Sequence, residues 1–131
     1  MAQLMRQGHP LVVEGQLMGF AKGVVAEGRF AFLSGVTGRG ATMGDQAESC
    51  WGTIKERLEG MGGRLDNIVQ RMTFVTSIEE WQKEGGPRQR AWLEANCPSM
   101  IQSPPAGTLI GCVGLAQPGL KVEIQVVVAL D

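Results

Sequence analysis

The chain has a single histidine, His9, and three cysteines, Cys50, Cys97 and Cys112, none of them in a CxxC pair. A lone imidazole argues against a metal site built on histidines, and no cofactor motif stands in its place. An odd, widely spaced cysteine set points to free thiols in a reducing, cytoplasmic setting rather than to a disulfide framework. No apolar run reaches the ~18 residues that a membrane-spanning helix needs. No N-terminal apolar segment reads as a secretion signal. An excess of one charge is missing as well: 12 basic residues against 13 acidic ones leave a net charge of -1. Without a basic stripe, a nucleic-acid partner is disfavoured. The Gly-rich loop Gly35 to Gly40 carries Arg39 but no Gly-Lys-Ser/Thr, so it is not a P-loop.

What the sequence does have is glycine, 19 in 131 residues, with apolar side chains spread through the whole length. That combination means turns and close backbone positions in a folded chain, not disorder. One domain over 1–131 is the expectation for this length. Val12 and Val13 suggest a short strand after a loose N-terminal start at Met1. Phe20 to Glu27 and Arg29 to Ser34, joined at Gly28, read as a hairpin.

Ala47, Cys50, Trp51, Ile54, Leu58 and Met61 recur every three or four residues and form one helical stripe. Thr42 or Asp45 can cap that helix, and Gly62-Gly63 can end it. Asp66 to Thr76 is a strand with Ile68, Met72 and Phe74 on one side and Arg71, Thr73 and Val75 on the other. Ser77 with Glu80 is a capping-box signature for a second helix. Gly85-Gly86-Pro87 is expected to break it, with Pro87 starting a continuation through Asn96. Two strands, Thr108 to Val113 and Lys121 to Leu130, close the chain. In the last, Val122, Ile124, Val126 and Val128 alternate with Lys121, Glu123, Gln125 and Val127.

These elements predict an α+β fold, a mixed sheet with two helices on one face. The other face is expected to carry Arg71, Thr73, Val75, Glu123, Gln125 and Val127. That mixture is too apolar for open water, so contact with further copies of the chain is the expected solution.

At this point the text resembles the YjgF/Rid family, the reactive intermediate deaminases. The matching pieces are FLSGVTG (Phe32 to Gly38), LDNIVQRMTFVTSIEEW (Leu65 to Trp81), PPAGTLIG (Pro104 to Gly111) and VEIQVVV (Val122 to Val128). The resemblance implies a chorismate-mutase-like fold, a homotrimer, and small-molecule clefts at the subunit interfaces. It implies hydrolysis of reactive enamines or imines to ketones and ammonia. Some relatives carry an endoribonuclease label.

The active branch of the family has an Arg after the Pro-rich loop that clamps the substrate carboxylate. Here that place is taken by Gly107 or Thr108, and the branch's helix Asn is replaced by GGPRQRAW. Glu123 matches the family's acidic residue on the last strand and is the expected catalytic group, positioning water or moving a proton. An ion pair of Glu123 with Arg71 or Lys121 is the competing reading. Phe20 matches an aromatic position near the cleft. Gly107 and Thr108 can offer backbone N–H groups and a hydroxyl to a substrate oxygen. Arg88 and Arg90 are candidates to replace the missing clamp, against a solvated helix face. Trp92 completes the expected substrate-binding set, although tryptophans at helical spacing usually pack in a core.

Overall fold

In the computed structural model, residues 5–130 are described. The loose start expected at Met1 lies outside them. The segment that follows is not loose. Strand β1, Met5–His9, pairs antiparallel with β4, Gly23–Glu27. Between them β2, Val12–Val13, and β3, Gln16–Leu17, make a tight hairpin over Glu14 and Gly15, both at positive φ.

The expected hairpin about Gly28 does not form. Gly28 sits at φ +124°, open to glycine only, and there the chain leaves one sheet for another. Strand β5, Arg29–Phe32, pairs with the last strand of the chain instead of with β4. A short β6, Val36–Thr37, pairs with that same strand.

Helix α1, Met43–Gly60, realises the apolar stripe. The Thr42 hydroxyl accepts from the Asp45 N–H at 3.1 Å. Gly62 takes φ +81° past the C-terminus, and the Gly63 N–H donates to the Leu58 carbonyl at 2.8 Å. Ala47, Cys50, Trp51, Ile54 and Leu58 are buried, while Met61, at the cap, is half exposed.

Strand β7, Ile68–Val75, follows a single 3-10 turn. The chain then runs through α2, Ile78–Glu80, a π turn over Trp81–Gly85, and α3, Gly86–Asn96. The expected break is therefore absent. Pro87 removes one N–H, and the widened turn absorbs the loss: the Gly86 N–H reaches back to the Trp81 carbonyl. The Trp81 ring lies across Gly85, so a β-carbon there would collide with it. A short α4, Ser99–Gln102, precedes β8, Ala106–Gly111, and β9, Val122–Leu130.

The main sheet runs β5-β9-β7-β8, with β6 also on β9. Only β7 and β8 are parallel. α1 and α3 cover one face, over Val122, Ile124, Val126 and Val128 of β9, all buried. The expected faces of β7 are reversed beyond Ile68. An irregularity between Ile68 and Gln70 shifts the register by one. Arg71, Thr73 and Val75 then stand opposite Val126, Ile124 and Val122, on the covered side. The open side carries Gln70, Met72 and Phe74 with Glu123, Gln125 and Val127. Phe30 and Phe32 of β5 extend it, Phe32 being 76% exposed.

Candidate functional site

β8 is the edge of the main sheet, and the residues before β4 dock on it. The Ala21 N–H donates to the Pro105 carbonyl at 2.9 Å, and Ala21 bridges in parallel to Ala106. This places Phe20 beside Gly107. A β-carbon on Gly107 would stand 3.2 Å from the Phe20 β-carbon. Between this edge and the α2–α3 segment lies a cleft of about 300 Å³. Phe20, Arg71, Thr73, Trp81, Gln89 and the Gly107–Leu109 backbone line it. A second lobe of about 220 Å³ shares Phe20, Arg71 and Gln89 as lining residues and is bounded further by Arg90, Leu93, Met100 and Ile101.

Arg71 stands at the junction of the lobes. It is only 8% exposed. Its Nη2 donates to the Gly19 carbonyl oxygen at 3.1 Å. No carboxylate pairs with it among the described residues, and none lines either lobe. Burial without a counter-charge pushes the guanidinium down to about 10, still protonated at neutral pH. No fully buried side-chain nitrogen among the described residues lacks a partner, so its remaining N–H groups reach the cleft. Gln89 is fixed from the other side: its Oε1 accepts from the Trp51 indole N–H at 2.9 Å, leaving the amide N–H₂ as its donor.

The structure thus gathers Phe20, Gly107 and Thr108 at one cleft, and adds Arg71, Thr73, Gln89 and Trp81. It does not bring the other expected residues there. Arg88 lies in the seam between α1 and α3. It bonds Asp45 at 3.0 Å and also Glu48, and its bond to Asp45, with that from Thr42, holds the Asp45 carboxyl below its usual range. Trp92 stacks on Trp51, with ring centroids 6.2 Å apart. Arg90 lines the second lobe and pairs with Glu94 at 3.0 Å.

Glu123 is half-buried on the opposite face of the sheet from Arg71, in register with Phe74 and Thr37. Its side chain rests on Gly35, where any β-carbon would collide with its carboxylate. It pairs with neither Arg71 nor Lys121; Lys121 reaches Glu80 at 3.6 Å. Cys50 is not a nucleophile in this setting. Burial, and then the Glu123 charge, push its thiol up to about 12, and its Sγ donates to the Val36 carbonyl. Among the described residues no group of His, Cys, Asp and Glu is arranged to hold a metal ion.

Arg71 is the residue that sequence reasoning missed. The signal was present: a guanidinium in the middle of the apolar run NIVQRMTFV. Strict alternation from Ile68 puts it on the open face, and the irregularity after Ile68 turns it inward.

The comparison with family models matches residues 15–130 to the family described as Endoribonuclease L-PSP, Ribonuc_L-PSP. The chain belongs to this family, the YjgF/Rid family. Solved structures of family members share its fold. Rv2704 from Mycobacterium tuberculosis, a member of the YjgF/YER057c/UK114 family, is 23% identical with TM-score 0.67, over 96% of this chain and 100% of that one. The Rid family protein YyfB from Yersinia pestis is 22% identical with TM-score 0.74, over 95% and 98%. NMB1025 from Neisseria meningitidis, of the YjgF family, is 18% identical with TM-score 0.66, over 97% and 96%. No curated protein matches the sequence. No helix among the described residues is long and apolar enough to cross a membrane.

Proposed function

We propose that this Rid-family protein is a cytoplasmic hydrolase acting on a small imine, enamine or related reactive intermediate. In the reaction, an enamine first takes a proton on carbon and gives one up from nitrogen, becoming an imine. Water adds to the C=N carbon, one of its protons passing by way of the Glu123 carboxylate to nitrogen, to give a carbinolamine. The hydroxyl proton then passes to nitrogen by the same route as the C–N bond breaks, leaving a ketone and ammonia. The observation that carries this reading is the convergence of Phe20, Gly107 and Thr108 on one cleft with a cationic side chain. Gly107 and Thr108 would offer N–H and hydroxyl groups to a substrate oxygen. Glu123 would position the water and accept its proton.

Within one protomer Glu123 faces away from the cleft, so this assignment requires neighbouring copies. A homotrimer would supply them. Its seams would close over the open sheet face, where Phe32 and Phe30 are exposed. The test is ammonia release from freshly generated 2-aminoacrylate-type imines and from imines lacking a carboxylate. Release from either, lost in Glu123→Ala, is the expected result. An unchanged rate in that variant removes Glu123 from the mechanism. Light scattering at a monomer mass defeats the trimer.

One observation favours a second reading, a binding module without turnover: among the described residues of one protomer no Asp or Glu lines the cleft. No ammonia release from any imine would decide for it. RNA cleavage, the activity in the family's description, has less behind it, since the net charge is -1.

A further inference from the structure

We propose that the two lobes sharing Arg71 bind a small carboxylate bearing an apolar group, with the carboxylate on Arg71 and the apolar group over Leu93, Met100 and Ile101. This names the ligand class of the proposed hydrolase, and it rests on that reading for taking this cleft as the working site.

The inference starts from an imbalance of charge. A charged side chain removed from water needs a counter-charge or a full set of acceptors. Arg71 has one backbone carbonyl. The second cation of the cleft, Arg90, lines the apolar lobe and has Glu94 as its partner, and among the described residues no acid lines either lobe. Another cavity, of about 400 Å³, shows the contrast. There Arg64 meets Asp66 at 3.3 Å and Lys55 meets Glu59 at 2.6 Å, so its charges are matched from within. Within one protomer, the described residues leave the Arg71 cleft one negative charge short.

Shape narrows the ligand further. Gly107 is the register partner of Arg71 across the parallel β7–β8 pair. A β-carbon at 107 would lie 3.5 Å from Arg71 Nη2. The guanidinium thus comes from β7, in van der Waals reach of position 107 on β8. A planar fork of N–H donors suits a carboxylate. Beside it, Leu93 and Met100 are each 3% exposed and offer an apolar floor. A bare anion such as acetate fills only half of this arrangement. A branched aliphatic or aromatic acid fills both.

Calorimetric titration of the full chain tests this with acetate, 4-methylpentanoate, benzoate and the neutral 4-methylpentanamide. The two larger acids should bind at least about tenfold more tightly than acetate or the amide. Arg71→Met should lose that binding while its Tm is unchanged or higher, because a purely structural arginine would cost stability when removed. Leu93→Trp should weaken 4-methylpentanoate and spare acetate. Equal binding of amide and acid, or undiminished binding by a folded Arg71→Met protein, overturns the role of Arg71. Equal binding of acetate and 4-methylpentanoate overturns the apolar lobe. If Arg71→Met does not fold, the acid–amide comparison on the unaltered chain decides. Acid binding without ammonia release overturns the hydrolase and leaves this inference standing.

Discussion

Arg71 and Arg88 bracket the same helical segment and have opposite surroundings. Arg88 is about half exposed and held by two carboxylates, Asp45 and Glu48. Arg71 is buried and has no carboxylate partner among the described residues. An exposed, paired cation adds little beyond local order, because water and salt screen it. A buried, unpaired cation is costly in the empty protein and attractive to an anion. Of the two, the arginine less suited to stability is the one suited to a ligand.

The widest separation between the two regions is expected in chemistry. Glu123→Ala should lower imine hydrolysis on the order of 100-fold or more, whereas Arg88→Met should leave the rate within a factor of two of the unaltered chain (about 0.4 kcal/mol). Steady-state ammonia assays check both. Next comes binding. Arg71→Met should weaken carboxylate binding by about tenfold or more, while Arg88→Met changes only Tm, and slightly. Loss of binding in Arg88→Met would erase the contrast.

A pH titration sharpens it. The folded pKa of Arg71, about 10, lies below its ordinary value. The unfolded chain therefore holds this proton more tightly, and above about pH 10 the Arg71 contribution to stability rises with pH. Below that pH the burial penalty is present in full. Any Tm advantage of Arg71→Met should shrink as pH climbs through 10, and carboxylate affinity should fall over the same range. Differential scanning calorimetry of both chains, taken as a difference, cancels the other titrations. The smallest effect is expected at Gly107→Ala. Its methyl would press on the Phe20 β-carbon and approach Arg71 Nη2, for a loss in ligand affinity of about 1 kcal/mol.

Much of the scaffold was readable along the chain. The α1 stripe from Ala47 to Leu58, its Thr42 cap and the alternation of β9 are local patterns, and local patterns survive folding. Three features were not readable. The β4–β5 hairpin is absent because the chain turns at Gly28, at φ +124°, into the other sheet, where β5 pairs with the distant β9. The break at Pro87 failed because a π turn could absorb one missing N–H. The face of β7 failed because a single irregularity after Ile68 inverts everything downstream.

That inversion separates what each level decided. By itself the sequence determined the elements, the α+β class, the family, and the presence of Phe20, Gly107 and Glu123 as the residues to examine. The tertiary structure alone decided that Arg71 turns toward the helices, that it meets Gly107 across a parallel pair, and that Glu123 looks the other way. Side chains in a strand alternate with period two, so a one-residue shift changes which face a charge occupies. Such a shift is set by pairing with strands far along the chain, and neither Arg71 nor its neighbours in sequence record it.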